Sequence, residues 1–165
     1  MLITYLDGAR SIVDCCRALG VRIVQLHGDV DTLELEQLKH LDPDLTVIKS
    51  LIVGRHGIDT LEATMRELSP FVDAYITDTF DPCSGASGAT GKTHDWDVSR
   101  RLAERSDRPV ILAGGLTPDN VRAAIRHVTP AGVDAHTGVE DVSGRKSREM
   151  VKRFVAEARA AFAAL

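Results

Sequence analysis

Pro109-Val110-Ile111-Leu112-Ala113-Gly114-Gly115-Leu116-Thr117-Pro118-Asp119-Asn120-Val121 is an apolar strand that runs straight into a glycine pair and opens a helix. Farther along, Gly132-Val133-Asp134-Ala135-His136-Thr137-Gly138-Val139-Glu140 repeats the device. Glycines at a strand end let bare backbone N–H groups approach an anion, and a following helix turns its positive N-terminal end toward it. In a (β/α)8 barrel, the loops after strands seven and eight are where a substrate phosphate usually sits. The two segments, turns 113–116 and 136–139, therefore point to a phosphorylated small molecule and to the C-terminal part of such a barrel.

The rest of the chain agrees with one α/β domain over residues 1–165. At 165 residues and 44% hydrophobic, it can bury a single sizeable core. A formal net charge of −4 gives no reason to expect nucleic acid or a membrane surface as partner. Met1-Leu2-Ile3-Thr4-Tyr5-Leu6 is a short β-rich run without a basic leader, and no apolar stretch reaches the roughly 18 residues that span a bilayer. Cys15, Cys16 and Cys83 make neither a disulfide framework nor a zinc-ligand spacing. The expectation is a cytoplasmic protein with no metal.

Strand-like runs alternate with helical ones. Strands are expected at 2–6, 21–26, 46–53, 74–77, 110–113 and 132–135, and helices at 9–19, 32–40, 58–68, 94–105, 119–127 and 147–164. A Gly-, Ser- and Thr-rich loop is expected over 80–93. Continuous apolar strands spaced by helices indicate about six βα units around a parallel sheet buried on both faces. The crossover rule leaves an open doubly wound sheet or a curved barrel segment. No Gly-x-Gly-x-x-Gly follows the first strand, and the two glycine turns favour the barrel.

Several segments in order then become specific: Val24-Gln25-Leu26-His27-Gly28-Asp29, Val47-Ile48-Lys49, Asp78-Thr79, Gly88-Ala89-Thr90-Gly91-Lys92-Thr93-His94-Asp95-Trp96, the 112–121 run, and 133–140 with Gly144-Arg145-Lys146 behind it. Together they resemble the phosphoribosylanthranilate isomerase family of tryptophan biosynthesis, along nearly the whole chain. The resemblance implies a TIM (β/α)8 barrel performing an Amadori rearrangement, in which an aminoaldose phosphate becomes an aminoketose phosphate. It implies a general acid that protonates the furanose oxygen and a general base that removes the C2′ proton. It implies no cofactor, because the iminium formed on ring opening is itself the electron sink.

By the same resemblance Asp78 matches the general acid, at the C-terminal end of a strand. Such an acid works near neutral pH only if its surroundings raise its pKa. The backbone of Gly114, Gly115 and Gly138, with the Thr137 hydroxyl, is expected to bind the substrate phosphate. The loop containing Gly88, Thr90 and Gly91 is expected to close over the site, and His27 to stand at the pocket mouth. Asp95 and Trp96 read as a helix start and a packing residue, and His136 as a side chain turned away from the site. Lys49, on a buried strand, is expected to find a carboxylate partner or a place in the barrel interior.

The family's base is a cysteine in a first-strand Lys-x-Cys-Gly-type motif, which residues 1–165 do not contain. Matching the strands makes 2–6 the family's third, so the expectation is an incomplete barrel lacking the first two βα units. Three readings stay open: a start site assigned too late in an ordinary isomerase, a short product that binds a sugar phosphate without turnover, or a structural remnant. Self-association through open sheet edges is expected of the 165-residue chain on its own.

Overall fold

The structure, a computed structural model, describes residues 1–83, 85–88 and 91–165, without the side chains of 86 and 87. Strand β3 (Thr46–Val53) shows most plainly how the sequence dictates it, with every residue after Thr46 buried. A run with no polar face must be covered on both sides, as in a parallel sheet. Around it lie β1 (Leu2–Thr4), β2 (Ile23–Leu26), β4 (Ala74–Asp81), β6 (Val110–Leu112) and β7 (Gly132–Val133), all parallel, in the order β1-β2-β3-β4-β6-β7. A short β5 (Ala86–Ser87) folds back antiparallel on the end of β4.

Parallel neighbours follow chain order without reversal. A doubly wound sheet would reverse its strand order at a switch point, so this succession selects the barrel-type alternative. The crossovers carry α1 (Ala9–Ala18), α2 (Thr32–Leu41), α3 (Ile58–Leu68), α4 (Trp96–Arg105) and α5 (Val121–Val128), and α6 (Arg148–Phe162) follows β7. Among the described residues no helix is long and apolar enough to cross a membrane.

Two large apolar clusters lie between sheet and helices. One joins Val24, Leu26, Val47, Leu51 and Tyr75 to α1, α2 and α3. The other joins Leu112 and Leu116 to α5 and α6. In α5 the fully buried residues are Val121, Ala124, Ile125 and Val128, an i, i+3, i+4, i+7 stripe that gives one helix face to the core. The opposite face of the sheet carries a smaller cluster of Ile48, Ile76 and Ala113, and this inner layer is the floor of the cleft described below.

Three local expectations are corrected. Strand β4 continues to Asp81 rather than ending at 77, because alternate residues Thr77, Thr79 and Asp81 remain buried and β5 pairs with its end. The expected loop 80–93 therefore begins as a hairpin. The second glycine device opens only a 3-10 turn, Thr137–Val139, and α6 starts at Arg148 after the Ser147 hydroxyl accepts from the Met150 amide. Lys49 has neither expected partner: it shares its register with Leu26 and Tyr75 on the helix-facing side, and its ammonium donates to the Ser50 carbonyl at 3.0 Å. Burial pushes its pKa down, and the charge of Asp29 partly offsets that.

Ile125 has no exposed surface. Ile125→Ala should lower stability by about 2–5 kcal/mol through lost burial and the cavity left behind, read as an earlier midpoint in urea unfolding. An unchanged midpoint would remove α5 from the core.

Candidate functional site

The C-terminal ends of β4, β6 and β7 converge on one cleft, lined by Asp78, Gly91, Gly114, Gly115, Asp134, His136 and Thr137 among others, with a cavity volume of about 30 Å³. Its position follows from strand alternation. Ile76 faces the inner layer, so Asp78, two residues on, faces it too, at the strand's open end.

Asp78 is half-buried. Burial pushes its carboxyl pKa up, and Asp134 adds to that; the Thr79 amide, His27 and His136 act the other way. The Thr79 N–H donates to Oδ1 at 2.8 Å. Oδ2 lies beneath Gly88, where a Cβ would collide with it and come within 2.8 Å of His27 Cε1. With φ at +89°, Gly88 is glycine for conformational reasons as well as steric ones.

The glycine pair after β6 has φ values of +96° and +61°. Among the described residues, the backbone N–H groups of Gly114 and Gly115 donate to no protein acceptor. The turn beyond them is held by Asn120, whose side chain accepts from the Thr117 amide at 2.8 Å and donates to the Gly115 carbonyl at 3.0 Å. In the 3-10 turn, the amides of Val139 and Glu140 make the backbone bonds, which leaves those of Thr137 and Gly138 at its open N-terminal end. Gly138 sits so close to the Leu116 carbonyl that any Cβ would strike it; its small size joins the two turns.

Gly88 and residues 91–94 lie over parts of the cleft. Gly91 lies over Thr137, its Cβ position 3.3 Å from the Thr137 hydroxyl, and the Lys92–Thr93 backbone rests on Gly115. Lys92 binds Asp81 at 2.8 Å. Residue Thr90 falls outside the described residues. His27 is buried; its Nδ1 lies 3.2 Å from Ser50 Oγ, which accepts from Gln25 Nε2 at 3.0 Å, and the Tyr5 ring meets it edge-on at 4.9 Å. His136 lines the cleft rather than turning wholly away, with Nδ1 3.4 Å from Glu140. Asp95 caps α4 by accepting from the Asp97 amide, and Trp96 packs with the α5–α6 cluster, its indole N–H buried without a partner.

Two residues of the site escape a reading of the sequence. Asp134 follows β7 directly, much as Asp78 follows the apolar part of β4, and burial raises its pKa against the opposing effects of His136 and Lys146. That shared placement, a carboxylate at an apolar strand's end, is the signal that would have found it. His94 precedes the α4 cap; Nδ1 lies 2.9 Å from Thr79 Oγ1 and Nε2 lies 2.6 Å from Ser99 Oγ. Burial pushes its pKa down to about 4. None of the three cysteines lines the cleft: Cys15 and Cys16 belong to α1, and Cys83 is exposed in the hairpin turn.

Comparison with known proteins matches residues 9–157 to the family model described as N-(5′-phosphoribosyl)anthranilate (PRA) isomerase. N-(5′-phosphoribosyl)anthranilate isomerase 2 of Methanosarcina mazei is 42% identical over 159 residues, 96% of this chain and 69% of the relative. The phosphoribosyl anthranilate isomerase of Thermococcus kodakaraensis superposes with a TM-score of 0.73 at 31% identity, over 96% of this chain and 73% of that one. A phosphoribosyl anthranilate isomerase solved with reduced 1-(o-carboxyphenylamino)-1-deoxyribulose 5-phosphate gives 0.73 at 26% identity, over 96% and 70%.

The buried His94 makes stability depend on pH. Its folded pKa near 4 lies below the unfolded value near 6.5, so the unfolded chain takes the proton first. His94 should cost the fold nothing above pH 6.5 and destabilise it increasingly down to about pH 4, by roughly 3 kcal/mol in all. Asp78 and Asp134, with raised pKa values, act in the opposite direction. The measurement is therefore the difference in unfolding free energy between wild type and His94→Phe from pH 7 to 4. A constant difference would mean that the ring takes up its proton as readily folded as unfolded.

Proposed function

The chain belongs to the N-(5′-phosphoribosyl)anthranilate isomerase family, and from that membership we propose that its cleft rearranges N-(5′-phosphoribosyl)anthranilate into the carboxyphenylamino-deoxyribulose phosphate. The observation that carries the site assignment is the pair of undonated amides at Gly114 and Gly115 in the same cleft as a half-buried carboxyl. Backbone N–H groups in a glycine turn, joined by the Thr137 hydroxyl and the Gly138 amide, suit a phosphate dianion. The family relative solved with a ribulose 5-phosphate derivative supports the same ligand class here.

Asp78 is the proposed general acid. Oδ1 is occupied by the Thr79 amide, so the proton belongs on Oδ2. Transfer of that proton to the furanose oxygen opens the ring and leaves the C1′–nitrogen bond as an iminium. Loss of the C2′ proton to a base then gives the enolamine, which tautomerises to the ketose. Burial serves the first step by keeping the carboxyl protonated to higher pH. Gly88 and Gly91, in the proposed lid, bring the backbone down on both Asp78 and Thr137 and exclude water from the reacting bonds. His27 stands beside the acid, its Cε1 and the Asp78 Oδ2 both under Gly88.

A second reading, a sugar-phosphate-binding or structural remnant without turnover, is favoured by one observation: no cysteine lines the cleft to take the C2′ proton. Turnover of the 165-residue chain decides between them. If it isomerises, Asp78→Asn should lower kcat by about 10²–10⁴-fold, and a variant with full kcat would move the acid elsewhere. With or without turnover, calorimetry should detect inorganic phosphate binding that Thr137→Val weakens by about 1 kcal/mol. Equal affinity in that variant would exclude the hydroxyl from the site.

Among the described residues, strand β1 pairs only with β2, and β7 only with β6. Unpaired ladder groups on outer strands invite association, and Ile3 and Tyr5 stand 58% and 69% exposed on the β1 side. Self-association is therefore expected, visible as a rise in sedimentation coefficient across a concentration series. A cooperatively melting monomer at the highest concentration would overturn it.

A further inference from the structure

The hydrogen-bonded chain Thr79–His94–Ser99 plays no part in the chemistry above, yet it lies where the acid, the phosphate turn and helix α4 meet. The start of α4 does not need it, because Asp95 already caps the helix. Positions 94 and 99 are those that an apolar pair fills in a hydrophobic staple. Here they hold a histidine and a fully buried serine bonded to each other at 2.6 Å. The ring's other nitrogen is spent on Thr79 Oγ1, 2.9 Å away. A neutral imidazole has one donor and one acceptor, so either tautomer makes both bonds with the two hydroxyls. The interaction carries direction without charge.

Thr79 is buried, and its own amide grips Asp78 Oδ1. A Cβ on Gly114 would collide with Thr79 Oγ1 and come within 3.0 Å of His94 Nδ1. The Thr79–His94 bond therefore runs directly under the turn that offers its amides to the cleft.

We propose that His94 is a positioning residue that sets Asp78 and the Gly114–Gly115 turn together by fixing the Thr79 hydroxyl between them. The inference rests on the reading of Asp78 as acid and of the turn as phosphate site. It differs from a purely structural staple in one respect: the Thr79 bond matters to the site, whereas the Ser99 bond matters only to α4.

Two measurements on the 165-residue chain test this without requiring turnover: NMR titration of the Asp78 carboxyl carbon, and calorimetric binding of inorganic phosphate. In His94→Phe and in Thr79→Val, the Asp78 pKa should rise as the amide grip loosens, and phosphate affinity should fall roughly three- to tenfold. His94→Asn, whose side-chain amide reaches the Nδ1 position, should restore both. Ser99→Ala should leave both near wild type while lowering the melting temperature. Should His94→Phe fail to melt cooperatively, Thr79→Val against Thr79→Ser carries the same contrast. A cooperatively melting His94→Phe or Thr79→Val chain with wild-type Asp78 titration and phosphate affinity would overturn the proposal. Absence of phosphate binding in the wild type would instead overturn the phosphate site, while the Asp78 titration would still judge the positioning.

Discussion

Close approach to glycine backbone, at distances that no Cβ allows, is the constraint on which the cleft depends. Gly138 meets the Leu116 carbonyl, Gly115 meets the Lys92–Thr93 peptide, and Gly88 meets the Asp78 carboxyl. The first two contacts join the turns after β4, β6 and β7 to one another, and the third folds the loop after β4 back on its own strand, so the three are locked as one unit. Glycine is used here less for flexibility than for the absence of a side chain. A glycine next to an anion site is easily read as making room for the anion. At Gly138 the neighbouring loop already fills the space, and the amide is presented because the turn is pinned, not because it is bare.

That lock depends in turn on the sheet. Strands that follow one another in chain order bring their C-terminal ends to one rim, and the helices that cover the other face take up Leu112 and Leu116 from the strand and turn that carry the glycine pair. The inner layer of Ile48, Ile76 and Ala113 is small, and it serves as floor rather than main core. Most of the apolar burial lies between sheet and helices, so the rim can carry polar groups at little cost to stability.

Periodicity made β3 and α3 legible to the residue, since both have long apolar patterns with clear ends. It shortened β4, where Asp78 and Asp81 look like loop residues; Asp81 is held in the sheet by Lys92 and the Cys83 amide, partners that no local pattern announces. Asp78 was singled out through its family motif, and Gly114 and Gly115 through their strand-to-helix setting, and the three line one cleft. Asp134 and His94 were not, because their meaning comes from tertiary contacts: one from burial beside another carboxylate, the other from a hydroxyl fifteen residues away. Lys49 was misjudged for a related reason. An amine on a long flexible stem can travel from a buried Cα to a backbone carbonyl, so its strand position says little about its partner.

The distribution of charge around the rim favours the role proposed for Asp78 as an acid. Lys92 is committed to Asp81 and Lys146 to Glu140, at 2.8 Å and 2.6 Å. An ammonium placed against Asp78 would hold its pKa down and leave it ionised, useless for protonating a ring oxygen. Keeping the lysines on their own carboxylates, and offering neutral amides and a hydroxyl to the ligand, allows an anion to be bound without an ion pair beside the acid. Burial then acts on Asp78 against the Thr79 amide, His27 and His136, with no lysine among the opposing groups, and an anion held in the proposed site would add a like charge that raises its pKa further. In the proposed site, binding a phosphate and holding the acid's proton are thus mutually supporting, and both follow from turns that offer backbone amides rather than lysines.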